Sequence, residues 1–210
     1  MEIRAMKLLP RELADLPDEI RRVPAPPTPE VPSPYACRLA DPDTDAELIA
    51  EWMSDPRLVR NWGQPWSASQ WRECLRAQLA GDYCRPFIGS IDGVDHGYVE
   101  LYRAAKDLVS TQYECDPSDL GVRLAMADLK VLSQGVVLLL LPHFVASVFN
   151  ADPQCRRIMF DPEHRNAPLR EFCEKGGCVF LCEHDSLDQR RALYVLPRTL
   201  DDIPRLRESQ

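Results

Sequence analysis

The chain has 210 residues, a formal charge of −8 and 45% hydrophobic residues, enough for one domain, alone or with an extension. The acidic balance argues against a surface that grips the phosphate backbone of nucleic acid, so no nucleic acid partner is expected. No stretch approaches the ~20 apolar residues of a membrane span, and the longest, Gly135 to Leu141, is interrupted by Pro142 and His143.

The opening MEIRAMKLLPRELADLPDEIRR holds no apolar run long enough for a signal peptide, which predicts a cytoplasmic protein with no membrane partner. Residues 1–34 read as an N-terminal extension, with a short helix around Pro10 to Arg22. The segment VPAPPTPEVPSPY follows; six of its thirteen residues are proline, so it reads as an extended, semi-rigid strap over the domain. The eight cysteines read as reduced thiols in such a compartment. Cys173, Cys178 and Cys182 with His184 lack the paired spacing of a zinc site, and no metal is expected.

The folded domain is expected over residues 35–198, with a tail at 199–210. ACRLA reads as a strand, and Asp43 to Met53 as a helix with Ala46, Ile49, Ala50 and Met53 on one face. Ser67 caps a second helix that Gly81 ends. RPFIGSID and HGYVELYRA are strands joined by a turn containing Gly93 and Asp95. LGVRLAMAD alternates as a strand, and GVVLLLLPHFVASVFN, apolar all round, reads as a buried helix that Pro142 must kink unless it sits near the first turns. RRIMF is a short buried strand, NAPLREFCEKGG a helix, and CVFLCEHD with RRALYVL a closing hairpin. The fold class is α/β (α+β), a mixed, mostly antiparallel sheet with helices on both faces and a strand–helix–strand crossover from Leu120 to Phe160.

Four stretches carry a resemblance: HGYVELYRAAKDL, DPSDLGVRLAMADL, LLPHFVASVF and CRRIMFDPEHRNAPLREFCEKGGCVFLCEHD. Together with the element order they resemble the GCN5-related N-acyltransferase (GNAT) family. Within it the chain is similar to the siderophore branch that acylates the side-chain nitrogen of lysine or a hydroxylated diamine. The similarity runs from about Tyr35 to Leu196, and the block Phe160 to Asn166 is its most specific part.

Such chemistry must hold an acyl thioester, take a proton from the attacking nitrogen and stabilise an oxyanion. The resemblance implies acetyl-CoA or another acyl-CoA, or an acyl carrier protein, as donor. Its phosphates would sit at Ser133, Gln134, Gly135, Val136 and Val137, at the start of the buried helix. Val137 replaces a family glycine there, which predicts crowding of the phosphate. Asp161 matches the family's proposed base, and a buried strand end predicts a raised carboxyl pKa; alternatively it caps an Asp-Pro turn. Arg123 stands where the branch has histidine. It stays charged, cannot act as a base, and can pair either with Asp161 or with an acidic group on the substrate.

Asn166 matches the residue that contacts the pantetheine arm, and is also placed to cap the next helix. Cys173 is a candidate proton donor to the leaving thiolate, or a packed core thiol. Glu100 could hold an acceptor α-amino group or make a cross-strand pair. His184 could face the acceptor, and Trp66, beside Trp62 and Trp71, could wall its pocket or pack in the core. The implied activity is acyl transfer to lysine, N6-hydroxylysine or a related hydroxylamine or diamine. The alternatives are an acidic acceptor held by Arg123, or a binding protein of weak activity.

Overall fold

The computed structural model describes residues 8–128, 130–131 and 135–207. One sheet holds β1 (Tyr35–Leu39), β2 (Cys84–Ile91), β3 (Val94–Arg103), β4 (Leu120–Met126), β5 (Arg157–Phe160), β6 (Val179–Ser186) and β7 (Gln189–Pro197), in the order β1-β2-β3-β4-β5-β7-β6. The helices are α1 (Asp18–Arg21), α2 (Ala46–Met53), α3 (Pro56–Trp62), α4 (Ala68–Ala80), α5 (Val136–Ala151) and α6 (Ala167–Lys175). β4 and β5 run parallel; the other neighbours are antiparallel.

Alternation along the strands fills both faces. Phe87 and Leu101 join Phe144, Val148 and Phe172 beneath α5 and α6. On the opposite face, Ile88 and Tyr98 join Ile49, Met53, Trp71 and Leu75 beneath α2 and α4. Each large side chain buried this way stabilises by roughly 1.5–3 kcal/mol. The mixed, two-faced sheet is the one the sequence predicts.

Several local expectations are corrected. Only Asp18–Arg21 is helical within the stretch predicted from Pro10 to Arg22. The β2–β3 turn is Asp92-Gly93, with φ of 50° and 77°, a two-residue hairpin loop; Asp95 already lies in β3. α5 buries one face, Leu141, Phe144 and Val148, and leaves Leu139 and the internal Pro142 exposed. α3 was not predicted, yet its signals are present. Asp55 accepts from the Arg57 amide at 2.8 Å, Pro56 occupies the first turn, and Gly63 ends the helix at φ 78°.

The extension lies against the domain. Lys106 Nζ donates to the carbonyl of Val23 at 2.7 Å, and Arg103 Nε to that of Pro24 at 2.7 Å. The Glu30 amide reaches Ser147 Oγ on α5 at 2.6 Å. Upstream, residues 11–13 run beside Asp107: Leu108 N donates to Arg11 O at 3.0 Å and Leu13 N to Lys106 O at 2.9 Å.

One feature of the sheet makes the site. β4 pairs with β5 only from Leu120↔Ile158 to Val122↔Phe160, while its pairing with β3 continues to Gly97↔Met126. Beyond Val122 the two parallel strands part, and β4 presents an edge with no strand on that side.

Candidate active site

The parting of β4 and β5 opens a cleft of about 210 Å³. Its walls are Val122, Arg123, Leu124 and Met126 on β4, and Phe160 to Glu163 with Arg165, Asn166, Pro168 and Leu169 beyond β5. α3 closes one side with Arg57, Leu58, Arg60, Asn61 and Trp62, and Arg191 of β7 completes it. An acidic chain thus presents five arginines to this cavity.

Asp161, the residue after β5, is 3% exposed and lines the cleft. Its Oδ1 lies 2.8 Å from His184 Nε2 on β6, and its Oδ2 accepts from Arg11 Nη2 at 2.7 Å. Arg191 Nη1 donates to the Asp161 carbonyl at 2.7 Å, with its Nε 3.9 Å from Oδ2. Burial alone would raise this carboxyl. The Arg11 charge, the His184 hydrogen bond and Arg191 outweigh it and hold the pKa down at about 2. The expected raised pKa is therefore corrected: three cationic or donor groups converge here, and Asp161 stays ionised. Burial also pushes the Arg191 guanidinium down to about 10, against the pull of Asp161 and with Arg11 and Arg123 repelling it.

Arg123 does not pair with Asp161. Its Nη1 donates to Glu100 Oε2 at 3.0 Å, directly across the β3–β4 ladder, and its guanidinium lies 4.1 Å from the Trp62 ring centre. Glu100 Oε1 also accepts from Gln78 Nε2 at 2.6 Å and from Tyr98 OH at 3.1 Å. Of the two readings of Glu100, the structure shows the buried cross-strand pair, and the residue does not line the cleft.

The other candidates separate in the same way. Trp62 walls the cleft; Trp66 packs on Trp71 at 5.3 Å between ring centres and lies outside it. Cys173 is fully buried and absent from the lining, and its thiol is driven far up by a hydrogen bond with Cys178 and by burial, so it is a packed core thiol. His184 is buried against Asp161 rather than lining the cleft, and its Nδ1 has no hydrogen-bond partner among the described residues. Asn166 lines the cleft, and its Oδ1 accepts from Leu169 N at 3.4 Å, the expected cap of α6.

Ser133 and Gln134 fall outside the described residues. Gly135 caps α5 at φ 73°, and a Cβ there would meet no atom within 4 Å. Val137 is half-buried and packs onto the core beneath α5, so its side chain is spent inward rather than over the first amides of the helix.

Two contributors escape sequence reasoning. Arg57 follows from α3, whose Asp-Pro start and glycine end were legible. Arg11 carries no local signal; it meets a residue 150 positions away.

An acetyltransferase (GNAT) domain model matches residues 41–186. The lysine N-acyltransferase MbtK of Mycobacterium sp. (strain MCS) is 56% identical over 94% of this chain and 81% of its own length. MbtK of Mycobacterium tuberculosis (strain ATCC 25618 / H37Rv) is 54% identical over 91% of each. Among solved structures, the aminoglycoside acetyltransferase AAC(6')-Ib in complex with coenzyme A superposes with a TM-score of 0.68 at 24% identity, covering 78% of this chain and 95% of that one, a likeness of fold.

Proposed function

This chain belongs to the GNAT acetyltransferase family, and from that membership we propose that it moves an acyl group from a thioester to the side-chain nitrogen of lysine or N6-hydroxylysine, a step of hydroxamate siderophore synthesis. The donor is acyl-CoA, or the same phosphopantetheine thioester on an acyl carrier protein. The observation that carries the site is the cleft where β4 leaves β5, with an ionised Asp161 in its wall.

The free β4 edge beyond Val122 suits an extended donor arm, which can hydrogen-bond there as an added strand would. Backbone N–H groups on the same edge can also face the developing oxyanion. The donor phosphates suit the start of α5, where Gly135 leaves open space and the first helical amides lack intrahelical partners. The acceptor would enter between Trp62 and Asp161. As the C–N bond forms and the C–S bond breaks, the nitrogen's proton passes to Asp161 and the thiolate takes one from solvent. A carboxylate held at about 2 is a weak base toward a free amine. It suffices as the C–S bond breaks, because the nitrogen of the N-protonated amide that collapse produces is strongly acidic.

Two features bear on the acceptor. Arg123 is neutralised by Glu100 and stacked on Trp62, so it needs no acidic substrate group, which favours a lysine-type acceptor over an acidic one. Of the cleft's five arginines, Arg57 and Arg123 are paired with Asp55 and Glu100, but Arg60, Arg165 and Arg191 still outnumber the lining carboxylates Asp161 and Glu163, which favours a nucleophile that binds uncharged. That favours N6-hydroxylysine, whose nitrogen is largely unprotonated near neutral pH. The test is thiol release from a panel of acyl-CoAs with lysine, N6-hydroxylysine and an acidic amine such as glutamate, with products identified by mass. Hydroxylysine-dependent release with N-acyl product is expected; release with glutamate alone would sink this reading.

A further inference from the structure

The strongest unexplained feature of the site comes from outside the domain. Arg11 belongs to the N-terminal extension, yet it is 2% exposed and spans two buried carboxylates. Its Nη2 donates to Asp107 Oδ1 at 2.8 Å and to Asp161 Oδ2 at 2.7 Å, and its Nε to Asp107 Oδ2 at 3.1 Å. Asp107 is itself fixed, accepting from the Val109 amide at 2.8 Å and from the Tyr83 hydroxyl. The backbone on either side of Arg11 is held as well, by the paired hydrogen bonds Leu108 N to Arg11 O and Leu13 N to Lys106 O. Backbone and side chain are thus both locked before any substrate arrives.

We propose that Arg11 is a positioning residue of the acyl-transfer site: its guanidinium, anchored on Asp107, holds the Asp161 carboxylate in one orientation at the cleft, which makes residues 8–13 a working part of the site. The proposal rests on the acyltransferase reading above. Its geometry is specific. One Asp161 oxygen is taken by Arg11 and the other by His184, so the carboxylate cannot rotate without breaking two short hydrogen bonds. Arg191 is a weaker partner for the side chain, at 3.9 Å from Oδ2. Removal of Arg11 would leave two buried carboxylates, Asp107 and Asp161, without their shared cation, and a buried carboxylate so deprived takes up a proton. Below the pKa so raised, a protonated Asp161 cannot receive the nitrogen's proton, and at any pH the carboxylate loses the contact that fixes its second oxygen. The other charged or titratable groups around Asp161 are Arg191 on β7, His184 and Cys182 on β6, Arg123 on β4 and Tyr102 on β3. None of them makes a second direct contact with Oδ2 as short as that of Arg11.

The test uses the full chain as Arg11→Gln and Arg11→Lys, with three readouts: the pH profile of kcat/KM, the titration of Asp161 by carboxyl ¹³C NMR, and rescue by added guanidinium. In Arg11→Gln the Asp161 midpoint and the acid limb of the profile should rise together by roughly 1–3 pH units. kcat at neutral pH should fall about 10²-fold while KM for the thioester stays within about twofold, because Asp161, still ionised there, is no longer held in one orientation while the donor site is untouched. Guanidinium at millimolar concentration should restore part of kcat. A wild-type profile and a wild-type Asp161 titration in folded Arg11→Gln would overturn the proposal. Should that variant not fold, Arg11→Lys decides: it keeps a charge but not the fork that spans both carboxylates, so kcat should fall about tenfold, and unchanged kcat would overturn the proposal. If the wild-type chain transfers no acyl group at all, the acyltransferase reading fails, and the ¹³C titration still decides the Arg11–Asp161 link by itself.

Discussion

Arg123 and Glu100 face each other across β3 and β4 with 3.0 Å between Nη1 and Oε2, and Glu100 rather than Asp161 neutralises this arginine. Both side chains are less than 10% exposed, at 9% and 7%. Removing one partner therefore strands a buried charge. Arg123→Ala should lose roughly 3–5 kcal/mol in urea denaturation, and Arg123→Ala with Glu100→Gln should lose distinctly less than the sum of the two single changes. Additive losses would mean the two residues do not depend on each other.

Cys173 offers a contrasting case. It is fully buried among Phe172, Cys178 and the core beneath α5 and is absent from the cleft lining. Cys173→Ala should leave kcat and its pH profile unchanged. Cys173→Ser should lower stability by roughly 1–3 kcal/mol, through a buried hydroxyl in an apolar setting. A tenfold fall in kcat for folded Cys173→Ala would return the thiol to the mechanism.

Asp119 sets a pH dependence that is independent of the cleft. It is fully buried; burial raises its carboxyl to about 6, with Asp116 N and Arg157 only partly compensating. A folded pKa raised above the unfolded value means that the native state binds the extra proton. The stability linked to this group is full below about pH 4 and is lost as pH rises through about 6. The shift from 3.8 to about 6 corresponds to roughly 3 kcal/mol at 1.36 kcal/mol per pH unit. Asp119→Asn should remove that decline from the stability–pH curve. An unchanged slope between pH 4 and 6 would contradict the assignment.

Gly135 tests the donor end. Its φ of 73° is one that a β-branched side chain rarely adopts, although the space around it is open. Gly135→Val should distort the start of α5 at a cost of about 1–2 kcal/mol and weaken acyl-CoA binding, seen as a smaller thermal shift on adding the ligand. A wild-type thermal shift would move the phosphate contacts away from this turn.

Much of this was legible in the sequence because the signals are local. The run HGYVELYRA placed β3, Ser67 marked the start of α4, and Asp161-Pro162 marked the strand end that carries the carboxylate. What stayed hidden depends on tertiary placement. Residue type could not tell whether Arg123 would meet Asp161 or Glu100, because both are acidic and only the β3–β4 register puts Glu100 opposite. The Asp161 pKa runs opposite to expectation because burial brought Arg11, His184 and Arg191 with it. α5 looked apolar all round, yet the sheet covers one side of it only.

Single-turnover acyl transfer by wild type and by Asp161→Asn measures the central claim most directly. With saturating acyl-CoA and N6-hydroxylysine, the near-isosteric change should keep the fold and the thioester affinity and cut the rate of acyl-product formation by roughly 10²–10⁴. Folded Asp161→Asn turning over at the wild-type rate would contradict the account and place the proton's acceptor elsewhere in the cleft.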